Sequence, residues 1–233
     1  MTNRRIFSLL FFVAALYAPV AAQDDDDGYR MELGAAVGGS FYLGDANSGF
    51  YSQTKAAGAV VARYLLNPRM ALKGMLSLGG IGGNTNAMDQ FYPEDPAGGI
   101  SPTPRNYTFS GNVVDFGITY EYNFWGYSFF EGFEGYHRLT PYVQIGLGIT
   151  YADTGKQFTG NIPIGIGLKY KLGRRWNIGL DWSYHFSFSD KLDGLYNAHG
   201  IPTSGFKNRD DYVLTMVYLT YDISPKCVTC NKD

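Results

Sequence analysis

The chain has 233 residues with 19 basic and 21 acidic side chains, and its formal net charge of −2 excludes the broad basic surface typical of nucleic-acid binding. Aromatic residues make up 16% of the chain and there are 30 glycines, a composition that favours pleated strands. Beyond the N-terminal segment no apolar run approaches the roughly 20 residues of a membrane helix, so any membrane role must use strands or a surface contact.

The N-terminus has the pattern of a secretory signal peptide. Arg4 and Arg5 precede an apolar run over residues 6–18, and small residues end at Ala22. We expect residues 1–22 to be removed, and no Cys follows that would carry a lipid. The acidic run 24–27 lies in a leader over residues 23–28 that is predicted to be solvated, with calcium binding as a weaker alternative.

Eight later segments alternate apolar residues with small or polar ones, the period of a β-strand with two different faces. In chain order they are 31–43, 55–66, 69–80, 114–124, 142–151, 161–172, 176–188 and 211–223. The last segment is apolar on both faces, so its orientation is left open. The pattern predicts an all-β fold, an eight-stranded antiparallel transmembrane β-barrel of outer-membrane type over residues 29–223. A soluble β-sandwich is the alternative.

The lengths of the predicted connections favour the membrane barrel, because such barrels keep short turns in the periplasm and longer loops outside. The predicted outside connections are 44–54, 81–111, 152–160 and 189–210, and the periplasmic ones are 67–68, 125–139 and 173–174. This arrangement places both chain ends in the periplasm and the protein in the outer membrane. Residues 224–233 then form a periplasmic tail.

The predicted inward face carries charged residues in a lumen too narrow for a solute channel. They are Glu32, Lys55, Arg63, Lys73, Asp115, Glu121, Asp181 and His185. We interpret them as a lumenal polar network whose charges pair with one another. No cofactor or metal site is predicted.

A hydrolase is the competing interpretation of one strand, where Ser183, His185 and Asp181 share a face. Residues at i and i+2 of a strand lie nearly 7 Å apart by rise, a spacing from which we expect no direct hydrogen bond. We therefore predict a protein without enzymatic activity.

Two periplasmic features are candidates for partner binding. The connection 125–139 is rich in aromatic residues, including Trp125, Phe129, Phe130 and Phe133, which either lie at the lipid headgroups or form a docking surface. Cys227 and Cys230 lie in the tail, where an oxidising compartment favours disulfides. A bond within the pair and a bond to a partner both remain open, whereas a zinc site lacks further ligands.

Two motifs resemble the PorG-like outer-membrane barrels of the Bacteroidota type IX secretion system. The first is a glycine-spaced strand, residues 32–45, that ends in Tyr-Leu-Gly-Asp, and the second is Asn-Pro-Arg-Met-Ala-Leu at residues 67–72. The similarity extends through most of the chain after the signal peptide and includes the short Cys-containing tail.

The resemblance implies a non-enzymatic component that anchors a periplasmic ring, built of PorK and PorN, to the outer membrane. The resemblance implies a PorK-like lipoprotein and a PorN-like protein as partners, and a membrane barrel also contacts outer-membrane lipids. The position of Cys227 and Cys230 motivates the hypothesis of a disulfide to the lipoprotein. The alternative function is a surface-exposed barrel whose external loops bind a host or lipid target.

Overall fold

The computed structural model describes residues 29–44, 47, 49–84, 108–129, 136–189, 191–194 and 209–225. The strands are β1 Tyr29–Leu43, β2 Lys55–Asn67, β3 Met70–Asn84, β4 Thr108–Asn123, β5 Gly126–Tyr127, β6 Tyr136–His137, β7 Leu139–Ala152, β8 Gln157–Lys171, β9 Trp176–Ser187 and β10 Asp211–Pro225. No helix of the described residues is long and apolar enough to cross a membrane.

Eight of these strands close into one antiparallel barrel in the order β1-β10-β9-β8-β7-β4-β3-β2. β1 completes the barrel because it pairs with β2 on one side and with β10 on the other. The predicted all-β, eight-stranded antiparallel barrel is confirmed. The short strands β5 and β6 form a separate parallel pair within the β4–β7 connection, which the alternation does not predict.

The two-residue period separates an inner face from an outer face. In β1, Glu32 is completely buried whereas Val37 is 69% exposed. The face of β10, which the sequence leaves open, follows from its pairing. Met216 lies opposite the inward Asp181 and is buried, and Val217 is exposed on the outer wall.

The outer wall carries an apolar belt of exposed aliphatic side chains. Its most exposed members are Val37, Val60, Leu76, Leu78, Ile118, Ile145, Leu147 and Ile166. Exposed aromatic side chains lie towards both ends of the strands, for example Trp176 and Tyr170 at one end and Phe158 and Tyr151 at the other. An apolar belt bordered by aromatic residues is the outer surface expected of a barrel in lipid.

We call the end where β1 begins and β10 finishes the terminal end, because Tyr29 pairs with Pro225 there. The opposite end is the distal end. Several strands extend further at the distal end than the sequence predicts: β3 reaches Asn84 and β4 begins at Thr108. The distal connection predicted at 152–160 shortens to 153–156, since alternation fades where glycine and polar residues continue a strand.

Candidate functional site

A group of six charged side chains fills the middle of the lumen, and we call it the central charge cluster. Its members are Glu32, Arg63, Lys73, Glu121, Lys169 and Asp181, all buried or nearly so. Glu121 is its centre: its Oε2 lies 2.8 Å from Arg63 Nε and 2.5 Å from Lys169 Nζ. Three acids balance three bases, so the cluster is neutral as a whole.

The remaining charges attach to this centre through neighbouring pairs. Lys73 Nζ lies 3.4 Å from Glu121 Oε1 and 2.5 Å from Asp181 Oδ2, and Arg63 also pairs with Glu32. Each acid therefore accepts hydrogen bonds from at least one cation. This meets the requirement that buried charges be paired and hydrogen-bonded.

Aromatic and amide side chains fill the space between these charges. The Tyr142 hydroxyl donates to Asp181 Oδ2 at 2.6 Å, and the Arg63 guanidinium lies 5.0 Å from the centre of the Tyr218 ring. Glycines on the inner wall make room for both rings. A Cβ at Gly167 would lie 2.3 Å from Tyr142 Cζ, and one at Gly179 would lie 2.3 Å from Tyr218 Cζ. The interior is packed like a core.

A second polar group lies on the distal side of the central charge cluster and is built around Asp115. Its Oδ2 accepts hydrogen bonds from Thr150 at 3.0 Å, Asn161 at 2.6 Å and Tyr212 at 2.8 Å. His185 stacks on the Tyr212 ring at 4.6 Å, and its Nδ1 lies 3.7 Å from Asp115 Oδ1. That distance is too long for a direct hydrogen bond.

The expectation that Ser183 and His185 cannot bond directly is wrong. Ser183 Oγ lies 3.1 Å from His185 Nε2. The strand rise separates the backbones of residues i and i+2, but the long imidazole can lean along the strand and close the gap. The carboxylate nearest the other ring nitrogen is Asp115 on β4, whereas Asp181 pairs with Lys73.

Ser183, His185 and Asp115 thus lie in the order found in nucleophilic hydrolases, but only Ser183 and His185 are hydrogen-bonded. All three are about 1% exposed, and the cavity that they line has a volume of about 10 Å³. Such a space holds about one water molecule and no substrate. His185 Nδ1 and Asp115 Oδ1 have no hydrogen-bond partner among the described residues, so the three side chains fill the lumen without forming the hydrogen-bonded chain of a catalytic triad.

Residues 191–194, which follow β9, pack into the distal mouth. Leu192 is completely buried, and the Tyr42 hydroxyl donates to Asp193 Oδ2 at 2.9 Å and contacts Asp210. Lys55, predicted to join the lumenal network, instead reaches Ser110 near this rim. Its position at the start of β2, at the distal end, keeps it apart from the central charge cluster.

The terminal mouth is closed by a cap, residues 125–129 and 136–138. Tyr127 is 5% exposed and its hydroxyl donates to Asn177 Oδ1 at 2.9 Å inside the barrel. Burial raises the pKa of the Tyr127 phenol, which keeps this donor protonated. Lys171 Nζ beneath it pairs with Asp222 at 2.8 Å.

The candidate partner-binding residues divide into two sets. Trp125 is 46% exposed on the cap, with its ring 5.4 Å from that of His137, and Phe129 is half-buried. The other candidates lie outside the described residues: Phe130, Phe133, Cys227 and Cys230. The predicted signal peptide and acidic leader also lie outside them.

Comparison of the sequence with known families gives one match over almost the whole chain. A family model described as "Domain of unknown function (DUF6089)" matches residues 4–232. The chain belongs to the DUF6089 family. No curated protein matches its sequence significantly.

Solved structures with a similar fold share little sequence identity with this DUF6089 protein. The N-terminal β-barrel domain of Pseudomonas aeruginosa OprF is 14% identical, with a TM-score of 0.43, and the match covers 84% of this chain and 99% of that one. Neisserial surface protein A is 10% identical with a TM-score of 0.46, over 83% of this chain and 97% of that one. Ail of Yersinia pestis is 12% identical with a TM-score of 0.42, over 83% and 97%.

Sequence reasoning missed several residues of the DUF6089 lumen. Lys169 and Lys171 lie on the predicted inner face of β8, so the alternation alone could have found them. Asp222 was hidden by the two-sided pattern of β10. No sequence pattern indicated Tyr127, because it lies in a connection and turns inward only in the folded barrel.

Proposed function

We propose that this DUF6089 protein is an integral outer-membrane barrel. The support is its apolar belt and the length of its strands, since the shortest barrel strand, β9, has 12 residues and a tilted strand needs about 9 to 11 to cross a membrane. A closed barrel leaves no strand edge unpaired in lipid.

The terminal end faces the periplasm in this proposal. Its turns at 68–69 and 172–175 are short, whereas the connections 85–107 and 188–210 at the distal end are long. Bacterial barrels have short periplasmic turns and longer external loops. Both ends of the barrel domain, and the tail that follows β10, then lie on the periplasmic side.

We further propose that the protein is a non-enzymatic anchor of the type IX secretion machinery, holding a PorK/PorN ring at the outer membrane. The observation that carries the anchoring role is the filled lumen, with Glu121 and Arg63 completely buried at its centre. A barrel of this kind is suited to holding a partner in place. The secretion role itself rests on the PorG-like sequence motifs.

The ring would bind at the periplasmic cap and the tail. On the cap, Trp125 presents an exposed indole next to the half-buried Phe129, and aromatic side chains of this kind are enriched at protein interfaces. The tail would contribute Cys227 or Cys230 through a disulfide to a ring lipoprotein. Lipid contacts around the wall fix the barrel in the membrane.

The test is affinity purification of the full-length protein from native outer membranes without reductant, followed by identification of the retained proteins. We expect PorK- and PorN-like proteins to co-purify, and we expect Trp125→Ala or deletion of residues 226–233, which follow β10, to reduce their recovery and the secretion of cargo. Trp176→Ala is the matched control, because Trp176 is 48% exposed at the same end but outside the cap.

Non-reducing electrophoresis tests the disulfide separately. A mixed species should disappear in the Cys227→Ser or Cys230→Ser variant that removes the bonding thiol. A monomer alone in all samples would refute the disulfide. Retention of no ring protein, together with normal secretion after deletion of the tail, would refute the anchor and favour the external-loop function.

A further inference from the structure

Two arginines at the terminal end are held in fixed positions by aromatic side chains. Arg175 Nε donates to the Tyr29 hydroxyl at 2.7 Å and its Nη1 donates to the Tyr221 hydroxyl at 3.1 Å. Its guanidinium carbon lies 4.9 Å from the centre of the Tyr29 ring. The backbone is also fixed, since the Arg175 carbonyl accepts a hydrogen bond from the Asp222 amide at 2.8 Å.

Arg138 lies on the other side of the same turn, residues 172–175. Its Nη2 donates to the Lys171 carbonyl at 3.0 Å and to the Leu172 carbonyl at 3.3 Å. Its guanidinium lies 4.6 Å from the Phe129 ring and 5.5 Å from the Tyr170 ring. Neither its contacts nor those of Arg175 include a carboxylate of the described residues.

Among the described residues, the exposed charged side chains at the terminal end are basic. Arg30, Arg69 and Arg174 are also exposed there. The carboxylate Asp222 is buried and already paired with Lys171. A guanidinium has five N–H donors, so Arg175 keeps donors beyond the two that its tyrosines use.

The two arginines lie at the edge of the apolar belt, and this position indicates which ligand they bind. Trp176 follows Arg175 directly and is 48% exposed, and Leu172 in the turn is 50% exposed. Aromatic residues at the edge of the belt mark the level of the lipid headgroups, and the exposed leucine faces acyl chains. The guanidinium groups therefore lie at the level of the phosphates, which they bind well because the planar group can donate two hydrogen bonds to one phosphate.

Given the proposed membrane location, we propose that Arg138 and Arg175, on the two sides of the 172–175 turn, each bind the phosphate headgroup of an anionic phospholipid in the leaflet around the terminal end, and we call these two residues the clamp. The aromatic rings pre-position both guanidinium groups, which reduces the side-chain entropy lost on binding. The negative charge of the lipid supplies the counter-charge that the contacts of these arginines lack. A zwitterionic lipid carries the same phosphate but adds a cation, so it should bind more weakly.

Native mass spectrometry of the full-length folded protein tests the clamp, with phosphatidylglycerol and phosphatidylcholine titrated separately. We expect the wild type to retain phosphatidylglycerol preferentially. Each of Arg138→Gln and Arg175→Gln should weaken phosphatidylglycerol binding about fivefold, the effect of one cation near an anionic lipid. Arg175→Lys should recover part of the loss, since it keeps the charge but not the planar group.

Arg69→Gln is the matched control, because Arg69 is exposed at the same end and has no aromatic partner among the described contacts. Heat-modifiable electrophoresis shows that each variant is folded. An unchanged lipid preference in the folded double variant that combines Arg138→Gln with Arg175→Gln, or an equal loss in Arg69→Gln, would overturn the proposal.

Two further outcomes would show that the clamp binds a ligand other than an anionic phospholipid. If inorganic phosphate stabilises the protein as much as phosphatidylglycerol does, the clamp binds a free anion and the lipid assignment is wrong. If the double variant keeps its lipid preference but loses an acidic protein partner, the clamp is a protein-docking surface. Lipid selectivity without ring binding would refute the proposed anchor and leave the clamp intact.

Discussion

The Glu121→Gln substitution tests whether the central charge cluster stabilises the barrel as one unit. Glu121 contacts Arg63, Lys73 and Lys169. After the substitution Arg63 still contacts Glu32 and Lys73 still contacts Asp181, whereas Lys169 loses the one carboxylate with which it forms an ion pair among the described residues. Breaking a buried pair in this way costs about 3–5 kcal/mol, or a factor of roughly 10² to 10³ or more in the unfolding equilibrium.

The assay is equilibrium urea unfolding of the barrel in lipid vesicles, followed by tryptophan fluorescence. Adding Lys169→Met removes the unpaired cation, so the double variant should be more stable than Glu121→Gln alone, with a coupling energy of at least about 1 kcal/mol. Arg69→Gln, at an exposed charge outside the lumen whose side chain has no partner among the described contacts, is the control and should change the free energy of unfolding little. A loss below about 1 kcal/mol for Glu121→Gln would show that the cluster is not energetically coupled.

The remaining predictions concern the wall, the polar groups and the lumen. Leu147→Arg, at a side chain 70% exposed near the middle of β7, should cost about 2–4 kcal/mol in lipid vesicles, and Phe158→Arg near the distal end about 0–1 kcal/mol. Equal losses of stability in the two variants would contradict a barrel in which Leu147 lies deeper in the membrane than Phe158. Ser183→Ala should destabilise the fold by about 1 kcal/mol and alter no esterase signal, because Ser183 only fills a hydrogen bond to His185. In planar bilayers the purified protein should give no sustained conductance, and open-channel steps would refute a filled lumen.

The sequence was sufficient to predict the barrel because a two-residue period reports directly which side chains share a face. Glu32 and Val37 were placed on opposite faces by counting alone, and their burial agrees. The lengths of the connections were predicted less accurately than the faces of the strands. The turn at 153–156 is shorter than predicted, since polar and glycine residues near a strand end carry little alternation while their backbones continue to pair.

Ion-pair partners could not be predicted, because alternation shows that a side chain faces inward but not which inward residue it meets. That choice depends on the stagger between strands. Lys55 is on the inner face of its strand but too near the distal rim to reach the cluster, whereas Lys169 lies level with Glu121. The same limit explains the error at His185, whose hydrogen bond to Ser183 depends on side-chain orientation.

The sequence by itself determined the eight barrel strands and the two faces of most of them, since these follow from local periodicity and side-chain chemistry. Only the tertiary structure decided how the barrel closes, because the two-sided pattern of β10 obtains its orientation from pairing with β1 and β9. Closure also turned Tyr127 into the lumen and held Arg175 between the tyrosines at the ends of β1 and β10. Those positions combine residues distant in the chain, and no local pattern encodes them.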